Sequence, residues 1–72
     1  MNRVKFEEEW NNINNIRGEG CKIITFSKGS YLYAWGYMVS EPESTSVELF
    51  GERGDACYSI GMVKFKEIKN VW

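Results

Sequence analysis

Two cysteines, a run of three glutamates and two glycine-flanked turns are the residues of this chain whose types could do chemistry. Cys21 and Cys57 are nucleophile candidates only with a base beside them. The chain has no histidine, the commonest general base near neutral pH. Glu7, Glu8 and Glu9 are consecutive, so on a helix they point in different directions and form no carboxylate pair across a pocket. Gly18-Glu19-Gly20 precedes a β-type segment instead of opening a helix, so no helix N-terminus is aimed at a phosphate. The stretch from Gly51 to Gly54 has hairpin-loop composition. Two cysteines without histidine also fall short of a structural zinc set. The expectation is a chain that binds and does not catalyse, with no cofactor and no metal.

The strongest binding signal is the stretch Tyr31-Leu32-Tyr33-Ala34-Trp35-Gly36-Tyr37-Met38-Val39. Large aromatics alternate with slim apolar residues at a period of two, the period of a β-strand. One face carries Tyr31, Tyr33, Trp35 and Tyr37, and the other Leu32, Ala34, Gly36 and Met38. The aromatic stripe has three readings: packing under a helix, a protein-binding surface in which Tyr and Trp are the anchors, or base stacking on an exposed sheet. Acidic residues concentrate in 41–55, where Glu41, Glu43 and Asp55 join the aromatics as candidate contacts for a basic protein surface. Stacking on nucleic acid needs a basic groove, which Lys22, Lys28, Lys64, Lys66 and Lys69 supply only if they gather on one face.

These residues need elements to hold them. Asn2 is a candidate N-cap for a helix over residues 3–15, with Phe6, Trp10 and Ile13 on one face and Ile16 as a possible extension. Gly18 and Gly20 end it. Strands follow at about 21–26, 30–40, 46–50, 56–60 and 69–72, separated by the Lys28-Gly29 turn, the Pro42 break and the Gly51 to Asp55 loop. In the first strand either Cys21 and Ile23 or Ile24 and Phe26 face inward, a choice decided by a slip of one residue. Residues 63–68 fit either a strand or a short helical turn.

At 72 residues, 43% hydrophobic and 15% aromatic, the chain is one small domain with enough apolar content to fold. A net charge of −1 leaves no overall basic footprint for phosphate. The N-terminus has no apolar segment of the signal-peptide type, and no run approaches the ~20 apolar residues of a membrane span. The default is therefore a cytoplasmic chain (host cytoplasm if phage-encoded) with reduced, buried thiols and no membrane contact. The Asn- and Lys-rich style is common in short phage and mobile-element proteins.

An open sheet of four or five strands leaves edges unprotected, and closure into a barrel removes them. Gly36, in mid-strand, marks the bend that lets one strand serve both sheets. Slim residues would fill the interior, and the helix stripe would cover part of the outward aromatic face. From Lys22 to Val71 this order of strand, turn, bent strand, Val47-Glu48-Leu49 strand, loop and closing Phe65-Lys66-Glu67-Ile68 segment resembles the five-stranded barrels of the Sm-like and Src-homology-like class. The leading helix resembles the Sm arrangement. The resemblance implies topology alone, because the Sm-type RNA-contact signatures are not legible in this chain.

The expected fold is thus mainly β, α+β by count: an N-terminal helix, then a small antiparallel barrel or strongly bent sheet. The expected function is a non-enzymatic protein–protein interaction module, of the kind a phage or mobile element uses to bind a host protein. Single-stranded RNA or DNA binding is the alternative, and a homo-oligomer built through edge strands is the third.

Overall fold

The computed structural model describes residues 1–41 and 44–72. Glu43 lies outside the described residues. Helix α1 runs Arg3–Arg17, two residues beyond the expected end. The Asn2 side chain accepts a hydrogen bond from the Lys5 N–H at 2.8 Å, capping the first turn. Gly18, at φ 81°, stops the helix, and its N–H donates to the Asn14 carbonyl at 2.8 Å. Phe6 and Trp10 are buried and Ile13 is half-buried, whereas Ile16 is 77% exposed and does not extend the stripe.

The strands are β1 Lys22–Phe26, β2 Tyr31–Ala34, β3 Gly36–Met38, β4 Ser46–Arg53, β5 Ala56–Lys64 and β6 Ile68–Val71, with a 3-10 turn at Phe65–Glu67 before β6. They form two three-stranded sheets. Sheet A has the order β2-β1-β6 and sheet B the order β3-β4-β5, and every pairing is antiparallel. The single expected strand at 30–40 is divided at Trp35. Its first half pairs with β1 and its second with β4. The Trp35 N–H donates to the Phe50 carbonyl at 2.7 Å, so the bend itself is tied to sheet B.

A shared ribbon thus feeds both sheets, but the sheets do not close into a barrel. No ladder joins β5 to β6 among the described residues. The 3-10 turn redirects the chain between them and sends Phe65 into the core, and the amino-terminal ammonium donates to the Phe65 and Ile68 carbonyls at 3.1 and 3.0 Å.

The bend also resets the alternation. Before it, Ala34 is buried and Leu32 half-buried while Tyr31 and Tyr33 are exposed, as the pattern predicts. Beyond it, Tyr37 turns inward, edge-on to Phe6 at 5.0 Å and to Trp10 at 4.9 Å, and Met38 is 57% exposed. Tyr37 therefore does not share a face with Tyr31 and Tyr33, and Met38 does not fill the interior. Nor does the helix cover the aromatic face. Its stripe plugs the gap between the sheets, with Phe6 and Trp10 joining Ile24, Phe26, Ala34, Val47, Leu49, Phe65, Ile68 and Val71.

Phe6 touches aromatic rings from three elements, with centroids 5.0–5.8 Å away. Phe6→Ala should cost about 3–5 kcal/mol. A core this small supplies about that much in total, so the variant should be largely unfolded by circular dichroism and urea titration. Ile16→Ser, on the exposed flank of the same helix, should change stability by less than about 0.5 kcal/mol.

Candidate functional site

Sheet A turns an uncovered face outward. Cross-strand register pairs Thr25 with Tyr31 on one side and Asn70 on the other, and places Tyr33 beside Ile23. Ile23 and Trp72 exchange backbone hydrogen bonds of 3.0 and 2.9 Å, which puts Trp72 opposite Ile23 on the same face. Two rows result, Tyr31-Thr25-Asn70 and Tyr33-Ile23-Trp72. Tyr31, Tyr33 and Trp72 are 61, 56 and 56% exposed, and the two tyrosine rings meet edge to face at 5.8 Å. Trp35 stands at the bend, 45% exposed, where it lines a cavity of about 510 Å³ with Trp10, Lys22, Tyr37, Glu19 and Glu52. The sequence pattern found Tyr31, Tyr33 and Trp35. It missed Ile23 and Trp72, which join the face only through pairing of β1 with its two neighbours.

The five candidate lysines do not form one groove. Lys22 is buried, because the alternation of β1 sends it inward with Ile24 and Phe26. Its aliphatic stem lies in the core, its ammonium donates to the Gly20 carbonyl at 3.1 Å, and it sits 4.5 Å from the centroid of the Trp10 ring. It is closed to phosphate. This also settles the register of the first strand in favour of Ile24 and Phe26. Lys28 and Lys66 line one shallow groove with Phe26, Ser27 and Glu67 at the β1–β2 turn. Lys69 is exposed on β6 at the same end of sheet A. Lys64 closes β5 and lines a second groove with Met1, Phe65 and Lys66, so that Lys66 borders both grooves.

The acidic candidates are also separated. Glu41 follows β3 and Asp55 occupies the β4–β5 turn, so they lie at opposite ends of sheet B, about 25 Å apart at strand rise. Neither joins the aromatic face. Cys21 is half-buried and Cys57 is exposed on β5, and both are free. The expectation that both thiols are buried therefore fails at Cys57, because the outer strand of sheet B has nothing packed over it. Among the described residues, no group of three or more His, Cys, Asp or Glu is placed to hold a metal ion. No described helix is long and apolar enough to cross a membrane.

Comparison with known proteins supplies no relative: no family model matches the chain, no curated protein matches it, and no solved structure matches its fold.

Two titratable groups, the buried Lys22 and the half-buried Tyr37, have pKa values shifted in opposite directions. Burial lowers that of Lys22, reinforced by Arg17 and partly offset by Glu19. Burial raises that of Tyr37, with the Glu7 carboxylate adding to it. Between its lowered value and 10.5, Lys22 binds a proton in the unfolded chain and not in the folded one, so stability rises with pH. From 10.0 upward the unfolded chain loses the Tyr37 proton first, and stability falls. In urea unfolding followed from about pH 7 to about pH 11, Lys22 contributes a rise in stability and Tyr37 a decline, and the two oppose each other between 10.0 and 10.5. Lys22→Met should flatten the rise and Tyr37→Phe the decline. A rise that survives Lys22→Met would show that another group drives it.

Proposed function

We propose that this chain is a non-catalytic protein-binding module whose contact surface is the outer face of sheet A. One observation carries the reading: Tyr31, Tyr33 and Trp72 stand largely exposed side by side on a rigid three-stranded support, around the half-buried Ile23. Aromatic side chains held this way lose little conformational entropy on binding and bury large areas, which is why Tyr and Trp dominate interface energetics. An uncovered apolar face of this kind marks an interaction site.

The charge around the face favours an acidic partner. Around the outer face Lys28 and Lys69 are exposed, and Lys66 stands at the same end with Glu67 as its one neighbouring carboxylate in that groove, while Lys22 faces inward. Of the described carboxylates of 41–55, Glu48 and Glu52 lie on β4 and Glu41 and Asp55 just beyond the strands of sheet B, none of them on the face of Tyr31 and Tyr33. The basic partner suggested by the acidic segment therefore has no support at this face. The bent ribbon and the 3-10 turn before β6 support the small-barrel likeness as a relation of topology.

A second reading, single-stranded nucleic acid, is favoured by the exposed lysines at one end of this surface, although Glu67 stands in the groove with Lys28 and Lys66 and Glu9 lies beside Trp72. Tyr31 and Tyr33, two residues apart on one face, would stack successive bases beside Lys28, Lys66 and Lys69. Affinity capture with wild type and with Tyr33→Ala/Trp72→Ala separates the readings when paired with a titration of fluorescent single-stranded DNA and RNA at two salt concentrations. The protein-binding reading expects the double variant to keep its melting temperature and to lose at least about tenfold in partner retention. An unchanged captured set would remove this face as the contact surface. Tight nucleic-acid binding with a steep salt slope would favour the second reading.

A further inference from the structure

β5 is the outermost strand of sheet B, paired with β4 on one side and, among the described residues, with no strand on the other. It is nine residues long, and along it Tyr58, Ile60 and Met62 are 50, 39 and 62% exposed. From Ala56 to Val63 it holds neither a charge nor a proline, the residues that ordinarily protect an edge. Its outward backbone donors and acceptors are a template for one more strand.

The strand is complementary to itself. Its pairing with β4 shifts by one residue between Leu49 and Phe50, so that Leu49 faces Gly61, Phe50 faces Ser59, and Ile60 is left between them as a bulge. Buried Val47, Leu49 and Gly51 on β4 define the inner face. Their partners Val63, Gly61 and Tyr58 therefore share that face on β5, and Cys57, Met62 and Lys64 fall on the outer one.

A regular strand placed antiparallel to its own copy, with the two-fold axis between two residues, would set inner side chains against outer ones. The extra residue in β5 removes that mismatch. With the axis between Ser59 and Ile60, Ala56 meets Val63, Tyr58 meets Gly61 and Cys57 meets Met62 of the second copy. Each of these pairs sets a small residue against a large one. At both ends Asp55 meets the second copy's Lys64, since a two-fold contact repeats itself. Neither residue is in an ion pair within the chain among the described residues. A shift of one residue mismatches the faces. A shift of two in one direction sets Tyr58 against Ser59 of the opposite face, and in the other keeps the faces but separates the charges.

We infer that this chain forms a two-fold dimer in which β5 pairs antiparallel with β5 of a second copy, with Asp55 opposite Lys64 at each end. Sheet B then runs through six strands, and each copy keeps its aromatic face on sheet A free. A strand-edge contact is small, below about 1,200 Å² in total, so assembly depends on concentration.

Sedimentation over a range from about 10 μM to about 1 mM tests this. Wild type should pass from monomer to dimer. D55K and K64D should each weaken the dimer about fivefold or more, and D55K/K64D should restore it. Both positions are exposed, so melting temperatures should hold. Under mild oxidation M62C should cross-link to Cys57 of the second copy, and C57S/M62C should not. A monomer throughout, an assembly larger than two, a dimer indifferent to charge reversal, or a cross-link that survives C57S would each overturn the inference.

Discussion

The aromatic contact of Phe6 and Trp10 with Tyr37 is what makes two small sheets into one domain. Neither sheet can bury its inner face alone, since each has three strands and the pair does not close among the described residues. Helix α1 supplies the missing wall. Phe6 is fully buried, and its ring reaches Tyr37 of sheet B and Phe65 of the 3-10 turn, while Trp10 also covers the ammonium of Lys22 from sheet A. An isolated helix of fifteen residues with several asparagines is marginal in water, so helix and sheets depend on each other.

The same contact explains how the ribbon divides its labour. Up to Ala34 the chain belongs to sheet A and shows its large rings to solvent. The bend at Trp35 and Gly36 carries it into sheet B, and the next ring, Tyr37, is drawn into the gap between helix and sheet. One run of similar residues thereby gives both a core anchor and an uncovered surface. Lys22 follows the same logic with a polar residue. Its stem fills core volume, and the cost of burying its charge is offset by a carbonyl and a ring face.

Charge is spread unevenly over the two sheets. Sheet A and its flanking turns expose Lys28, Lys66 and Lys69 with Glu67 among them, whereas the strands of sheet B carry Glu48 and Glu52 with Arg53 and Lys64, and Glu41 and Asp55 stand just beyond them. The aromatic face therefore has an excess of lysines at one end, and β5, open along one edge, carries its one charge at Lys64.

Local pattern was enough to place the helix with its Asn2 cap, the period-two strands, the Lys28-Gly29 turn and the bend near Gly36, because each depends on neighbours a few residues apart. The loop expected over Gly51 to Asp55 is instead strand as far as Arg53, leaving Gly54 and Asp55 as the turn, and β5 runs on to Lys64. It also picked out Tyr31, Tyr33 and Trp35 as solvent-facing candidates. The inward turn of Tyr37, the burial of Lys22, the separation of Glu41 from Asp55 and the arrival of Ile23 and Trp72 beside the tyrosines required the folded chain. Alternation says which residues share a face within one strand. Which face is inside, and whether it stays inside after a bend, is decided by what packs against it from elsewhere in the chain.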